Sequence, residues 1–131
     1  QKRLQCIQDN LARLEQLRNL PLDEFVADFR NVESAKHLLQ VSIEAMVDIC
    51  NHLISRRRLG VPESDVASIK LLGDNALLPS EHIPTFTKMV KFRNLIVHLY
   101  HEVDNPRVYD VLQNDLNDLR LFMADLVQIL S

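Results

Sequence analysis

Residues 32–60, VESAKHLLQVSIEAMVDICNHLISRRRLG, decide the fold class. Val32, Ala35, Leu39, Met46, Ile49 and Leu53 recur at helical spacing and lay one apolar stripe along a single long helix. Gly60 suits its C-terminal cap, because glycine takes left-handed backbone without a Cβ penalty. Arg56, Arg57 and Arg58 stand where cations complement the carbonyl end of the helix dipole. That is the plainer reading of the basic run, and a contact with RNA is the alternative.

Toward the N-terminus, Leu4, Ile7, Leu11, Leu14 and Leu17 form a second helical stripe that Pro21 ends, with a short helical turn from Leu22 to Asp28. Toward the C-terminus, Ser64 caps a shorter helix carrying Val66, Ile69 and Leu72, broken near Gly73 to Asn75. Ser80 with Glu81 opens the next long helix. Asn105 and Pro106 start the last, in which Leu112, Leu116, Leu119, Met123, Leu126 and Leu130 continue as one pattern. Four long helices with short connections predict an all-α antiparallel bundle, one domain over residues 1–131.

Composition agrees with this expectation. Two glycines and five prolines are too few for the tight turns of a β-sandwich or barrel. Apolar residues at 47% and charged residues at 25% exclude a disordered tail. A net charge of -3 argues against a general nucleic-acid coat and leaves room only for a local basic site. Cys6 and Cys50 read as small core residues in a reducing, cytoplasmic setting, and no apolar run approaches the roughly 20 residues that span a bilayer. The chain begins at Gln1, so further residues are expected upstream, with room for a short leader.

The helix after Ser80 carries the chemistry. Phe92, Leu95, Ile96, Val97 and Leu99 nearly encircle it, so burial is expected on most sides and Arg93, Asn94 and His98 must be paired or face a cleft. At about 100° per residue, Arg93 and Tyr100 fall within roughly 20° of each other and Asn94 within about 40° of His98. Arg93 and His98 are about 140° apart, so they meet on one ligand only if side chains reach around or a second copy contributes. His98 and His101 have a metal-compatible spacing, but no Cys or carboxylate set completes a ligand shell, so no metal is expected.

Arg93-Asn94-Leu95-Ile96-Val97-His98-Leu99-Tyr100 resembles the R-x4-H-x-Y motif of HepT-like toxins in the HEPN superfamily. The resemblance extends through Met89 to Asp104, to Ile49–Arg56 and to Val61-Pro62-Glu63, and nearly the full chain fits. It implies a homodimeric ribonuclease, independent of metal and cofactor, with its cleft at the dimer interface. The implied partner is a minimal nucleotidyltransferase antitoxin that transfers AMP to the motif tyrosine, here Tyr100. His98 is then the expected base or acid and Arg93 the stabiliser of phosphorane charge. Asn94 is expected to orient the imidazole or hold a phosphate oxygen, and AMP on Tyr100 to fill the cleft beside Arg93.

On the long helix, His37, Gln40, Glu44, Asp48 and Asn51 make a polar stripe, ordinarily a solvated face. Asp48, Asn51 and His52 fall within the family-like segment and are expected to support the cleft. Asp104 with Asn105 reads as a cap. The competing class is an inactive HEPN-type module that binds nucleotide or RNA and dimerises. The acidic balance and the want of an aromatic single-strand platform favour it, and intact Arg93 and His98 favour the enzyme.

Overall fold

The computed structural model describes residues 2–130. Its helices are α1 (Lys2–Arg18), α2 (Leu22–Ala27), α3 (Phe29–Arg56), α4 (Asp65–Asp74), α5 (Ile83–His98), α6 (Asn105–Asn114) and α7 (Leu116–Leu130), with 3-10 turns at Ser80–His82 and Tyr100–Glu102. Among the described residues there is no strand, and no helix is long and apolar enough to cross a membrane.

The central element is α3. Asp28 caps its start by accepting from the Arg30 N–H at 3.0 Å. Its buried residues, among them Val32, Ala35, Leu39, Met46, Val47, Ile49 and Ile54, cover rather more than half of its circumference, and it packs against α1, α2, α4, α5 and α6. Its end differs from the expectation. Arg58 takes the left-handed position directly after the helix (φ 53°) and Gly60 has positive φ (127°) two residues on, while the Leu59 N–H reaches the Ile54 carbonyl at 3.1 Å and the Arg58 N–H reaches Ser55 at 3.2 Å. Those two bonds satisfy the orphan carbonyls two residues before glycine is available.

Helix α1 runs antiparallel to α3: Arg3 pairs with Asp48 at 3.5 Å and Asn10 reaches Ser42 Oγ at 3.2 Å. Asn10 and Ser42 are both buried, so this bond sets the register of α1 by the cost of leaving either group unmet. Helix α5 begins later than Ser80, at Ile83, with Pro84 in its first turn and the Ser80–His82 turn leading in. His82 ties that entry to α7 through Asp125 at 2.7 Å, and Phe86 meets Phe122 edge-to-face at 5.4 Å between ring centres.

Glycine 73 lies inside α4 because α5 lies so close. A Cβ there would stand 2.7 Å from Ile83 Cγ1. The helix ends just after, where Ala76 turns left-handed (φ 58°) and the Leu77 N–H closes on the Leu72 carbonyl at 2.9 Å. The pattern read as one last helix is two, because Asp115 breaks it. There Asn114 donates to the Asp110 carbonyl and carboxylate, and the Asp118 N–H turns back to the Asp115 carbonyl. Buried Leu112, Leu116 and Leu119 still line the core across the break.

Ala76→Gly removes a left-handed Cβ penalty and should raise unfolding free energy by about 0.5–1 kcal/mol. Phe122→Ala empties a fully buried site and should lower it by about 3–5 kcal/mol, both read by urea denaturation.

Candidate active site

Arg93 is buried among apolar neighbours of α5, and three polar groups hold it there. Its Nη2 donates to Asp65 Oδ2 at 2.5 Å, its Nε donates to Asn94 Oδ1 at 3.0 Å, and its Nη1 lies 4.0 Å from Glu44 Oε2. Asp65 sits in the first turn of α4 behind the Ser64 cap and Glu44 is on α3, so three helices fix one guanidinium. Asn94, expected to orient His98 or to hold a phosphate oxygen, accepts from the arginine through its Oδ1.

His98 is the last residue of α5, and the expectation of burial fails there. It is exposed, with Val97 46% and Leu99 43% exposed beside it, so an imidazole projects from an apolar rim. Helix α5 does not continue through Leu99, whose backbone (φ -133°, ψ 47°) departs from helical values. Tyr100 therefore leaves the helical face it was expected to share with Arg93.

Tyr100 instead packs on the first turns of α3. Its hydroxyl donates to Glu33 Oε2, Lys36 Nζ donates to its carbonyl at 2.9 Å, and the same ammonium stands 4.1 Å from its ring centre. Burial, then the hydrogen bond and negative charge of Glu33, push the phenol up to about 12. Glu33, which meets Tyr100, and Glu44, which meets Arg93, are eleven residues apart on α3, about 16 Å of helix. The phenol expected beside Arg93 therefore meets α3 about three turns away from the residue that meets Arg93.

The expected supporting residues disperse. Asp48 pairs with Arg3, His52 is exposed, and Asn51 accepts from Ser68 Oγ at 2.6 Å on the wall of a cleft of about 450 Å³ that Asp65 also lines. A second cleft of about 500 Å³, lined by Val26, Phe29, Glu33, Lys36 and His101, opens beside Tyr100. A groove of about 680 Å³ between α5, α6 and α7 is lined by Phe92 and Leu95 and by none of the motif's polar residues. Among the described residues, no three His, Cys, Asp or Glu side chains form a metal-ligand group.

Lys36, Glu33 and Asp65 were missed in the sequence. Lys36 did leave a signal, a lysine at a core position of the Val32, Lys36, Leu39, Ile43 stripe. Asp65 left none, since an acid after a cap reads as a dipole partner. The cysteines are free: Cys50 is buried, its thiol pushed up to about 12 by burial, and Cys6 is only half-buried.

A family model for HepT-like ribonucleases matches residues 7–126. The chain is 36% identical over 100 residues to the mRNA nuclease HepT of Shewanella oneidensis, covering 76% of this chain and 75% of that protein. It is 25% identical over 124 residues to the tRNA nuclease HepT of Aphanizomenon flos-aquae, covering 95% and 84%. The fold matches that of the tri-AMPylated S. oneidensis HEPN toxin in complex with MNT antitoxin, with a TM-score of 0.88 and 31% identity over 97% of this chain and 95% of that one. A toxin-antitoxin structure with AMP-PNP also gives 0.88, at 30% identity, over 97% and 96%. The class is therefore the all-helical HEPN fold. Within it, the chain belongs to the HepT-like ribonuclease family.

The raised Tyr100 phenol has a measurable consequence. Its folded value exceeds the ordinary tyrosine value of about 10, so its contribution to stability is complete below pH 10 and is lost as pH rises through about 12. Ultraviolet titration of the native protein should show a phenol ionising near pH 12 that Tyr100→Phe removes. Ionisation of Tyr100 near 10 would contradict the Glu33 contact.

Proposed function

We propose that this chain is a toxin that cleaves RNA without metal, at a site formed between two copies, and that AMP transfer to Tyr100 by a nucleotidyltransferase antitoxin silences it. The observation that carries the reading is the exposed His98, set between exposed Val97 and Leu99 at the end of the helix that holds Arg93 rigid. An apolar rim around a titratable group is unfavourable in water and favourable against a second copy. That copy answers the roughly 140° between Arg93 and His98.

In this reading the nucleophile is the RNA's own 2'-OH, so the reaction needs a base and a charge stabiliser and no activated water. His98 takes the 2'-OH proton and later protonates the leaving 5'-oxygen, tasks suited to a group whose ordinary pKa is near 6.5. Arg93 is preorganised by Asp65 and Asn94, and Nη1, beyond hydrogen-bond reach of Glu44, is the edge left for a phosphate oxygen. Asn51 supports the cleft beside Asp65, and Asp48 and His52 stand on the same side of α3 as Glu44, within about 80° of it. The MNT antitoxin complex and the AMP-PNP complex of the structural relatives support the partner and the modification.

Arg93→Ala and His98→Ala should each reduce cleavage of total RNA or tRNA at least about 100-fold while the protein stays folded and dimeric. Cleavage should persist in a chelator. Val97→Asp puts a charge on the rim and should give a monomer, by solution mass, that no longer cleaves. Full cleavage by folded His98→Ala would overturn His98 as the base, cleavage by a monomer would overturn the two-copy site, and absence of cleavage by the folded wild-type dimer would favour the inactive binding module.

A further inference from the structure

We propose that Glu33 is the general base of the modification, the group on this chain that takes the Tyr100 proton as AMP is transferred. The proposal rests on the reading of Tyr100 as acceptor and adds to it a catalytic residue supplied by the chain being modified rather than by the modifying enzyme.

The geometry points to this role directly. The phenolic O–H is aimed at the Glu33 carboxylate, the Lys36 ammonium holds the Tyr100 carbonyl and stands over the ring, and the phenol is thereby fixed against two residues that line an open cleft. Glu33 is exposed and Lys36 is buried, so the lysine acts as the anchor and the carboxylate is open to solvent beside the hydroxyl it accepts from. The other titratable groups lining that cleft are His101 and Asp104, and Asp104 is engaged in capping α6 through the Arg107 N–H at 3.0 Å.

Chemistry supplies the need. A phenol with a value of about 12 is ionised in only about one molecule in 10⁵ at pH 7, so attack on phosphorus requires its proton to leave as the bond forms. In the balanced step, a lone pair of Tyr100 Oη bonds to the α-phosphorus of ATP. The bond from that phosphorus to the bridging oxygen breaks, pyrophosphate departs with the electron pair, and the phenolic proton passes to Glu33 Oε2. The product is a phosphodiester whose single negative charge lies near the Lys36 ammonium.

The test compares the full-length chain with Glu33→Gln, each incubated with the antitoxin enzyme, ATP and Mg²⁺ and followed by intact-mass and peptide mass spectrometry between pH 6.5 and 9. Circular dichroism reports folding. Glu33→Gln should be slowed at least about 30-fold at pH 7. The ratio of wild-type to variant rate should fall toward one as pH rises, by up to about tenfold per unit, as hydroxide replaces the lost base. Taking the ratio cancels the antitoxin's own pH dependence. Glu33→Asp, which keeps a carboxylate, should retain the wild-type pH profile, and it carries the test if the glutamine variant folds poorly. Equal rates, a wild-type to Glu33→Gln ratio that does not fall as pH rises, or a Glu33→Asp profile like that of a chain without the base would overturn the base while leaving Tyr100 as acceptor. Absence of AMP on Tyr100 in the wild-type chain would overturn both.

Discussion

Everything in this molecule is referred to α3. At 28 residues, about 42 Å, it is long enough to touch both halves of the motif, and it is buried on so many sides that its polar side chains must find partners. Ser42 finds Asn10, Lys36 finds Tyr100 and Asn51 finds Ser68. Each of those bonds fixes a neighbouring element against the central helix at one register. Contacts from Glu44 to Arg93 and from Glu33 and Lys36 to Tyr100 run in opposite senses along the two segments, which sets α5 antiparallel to α3.

The arginine follows the same logic. A guanidinium this enclosed is costly without counter-charge, and Asp65 meets that cost from a helix that would otherwise contribute mainly apolar packing. The close approach of Ile83 to Gly73 brings α4 near enough for the ion pair to form. A residue held from three helices has little freedom to reorganise, which is the property a stabiliser of developing charge requires.

The end of α5 separates two tasks that a continuous helix would have mixed. Up to His98 the chain is helical and the imidazole points to solvent from an apolar rim. One residue later the backbone leaves helical values, and Tyr100 is delivered to the start of α3. In the proposed scheme, cleavage and silencing share one short stretch of chain and use different neighbours, so each can be altered without dismantling the other.

The helical stripes, the caps at Ser64 and Asp104, and the order of Arg93, Asn94, His98 and Tyr100 were legible in the sequence because they depend on near neighbours and on a fixed helical period. The exact end of α3 was not legible, because the first left-handed residue is Arg58, which has no intrinsic preference for that backbone, two positions before Gly60. The burial of Arg93 and exposure of His98 on one helix, the partnership with Asp65, and the capture of Tyr100 by Glu33 and Lys36 join residues 28, 67 and 64 positions apart. Local periodicity carries no information over such distances, and only the packing of α3, α4 and α5 around one core decided which of these groups would meet.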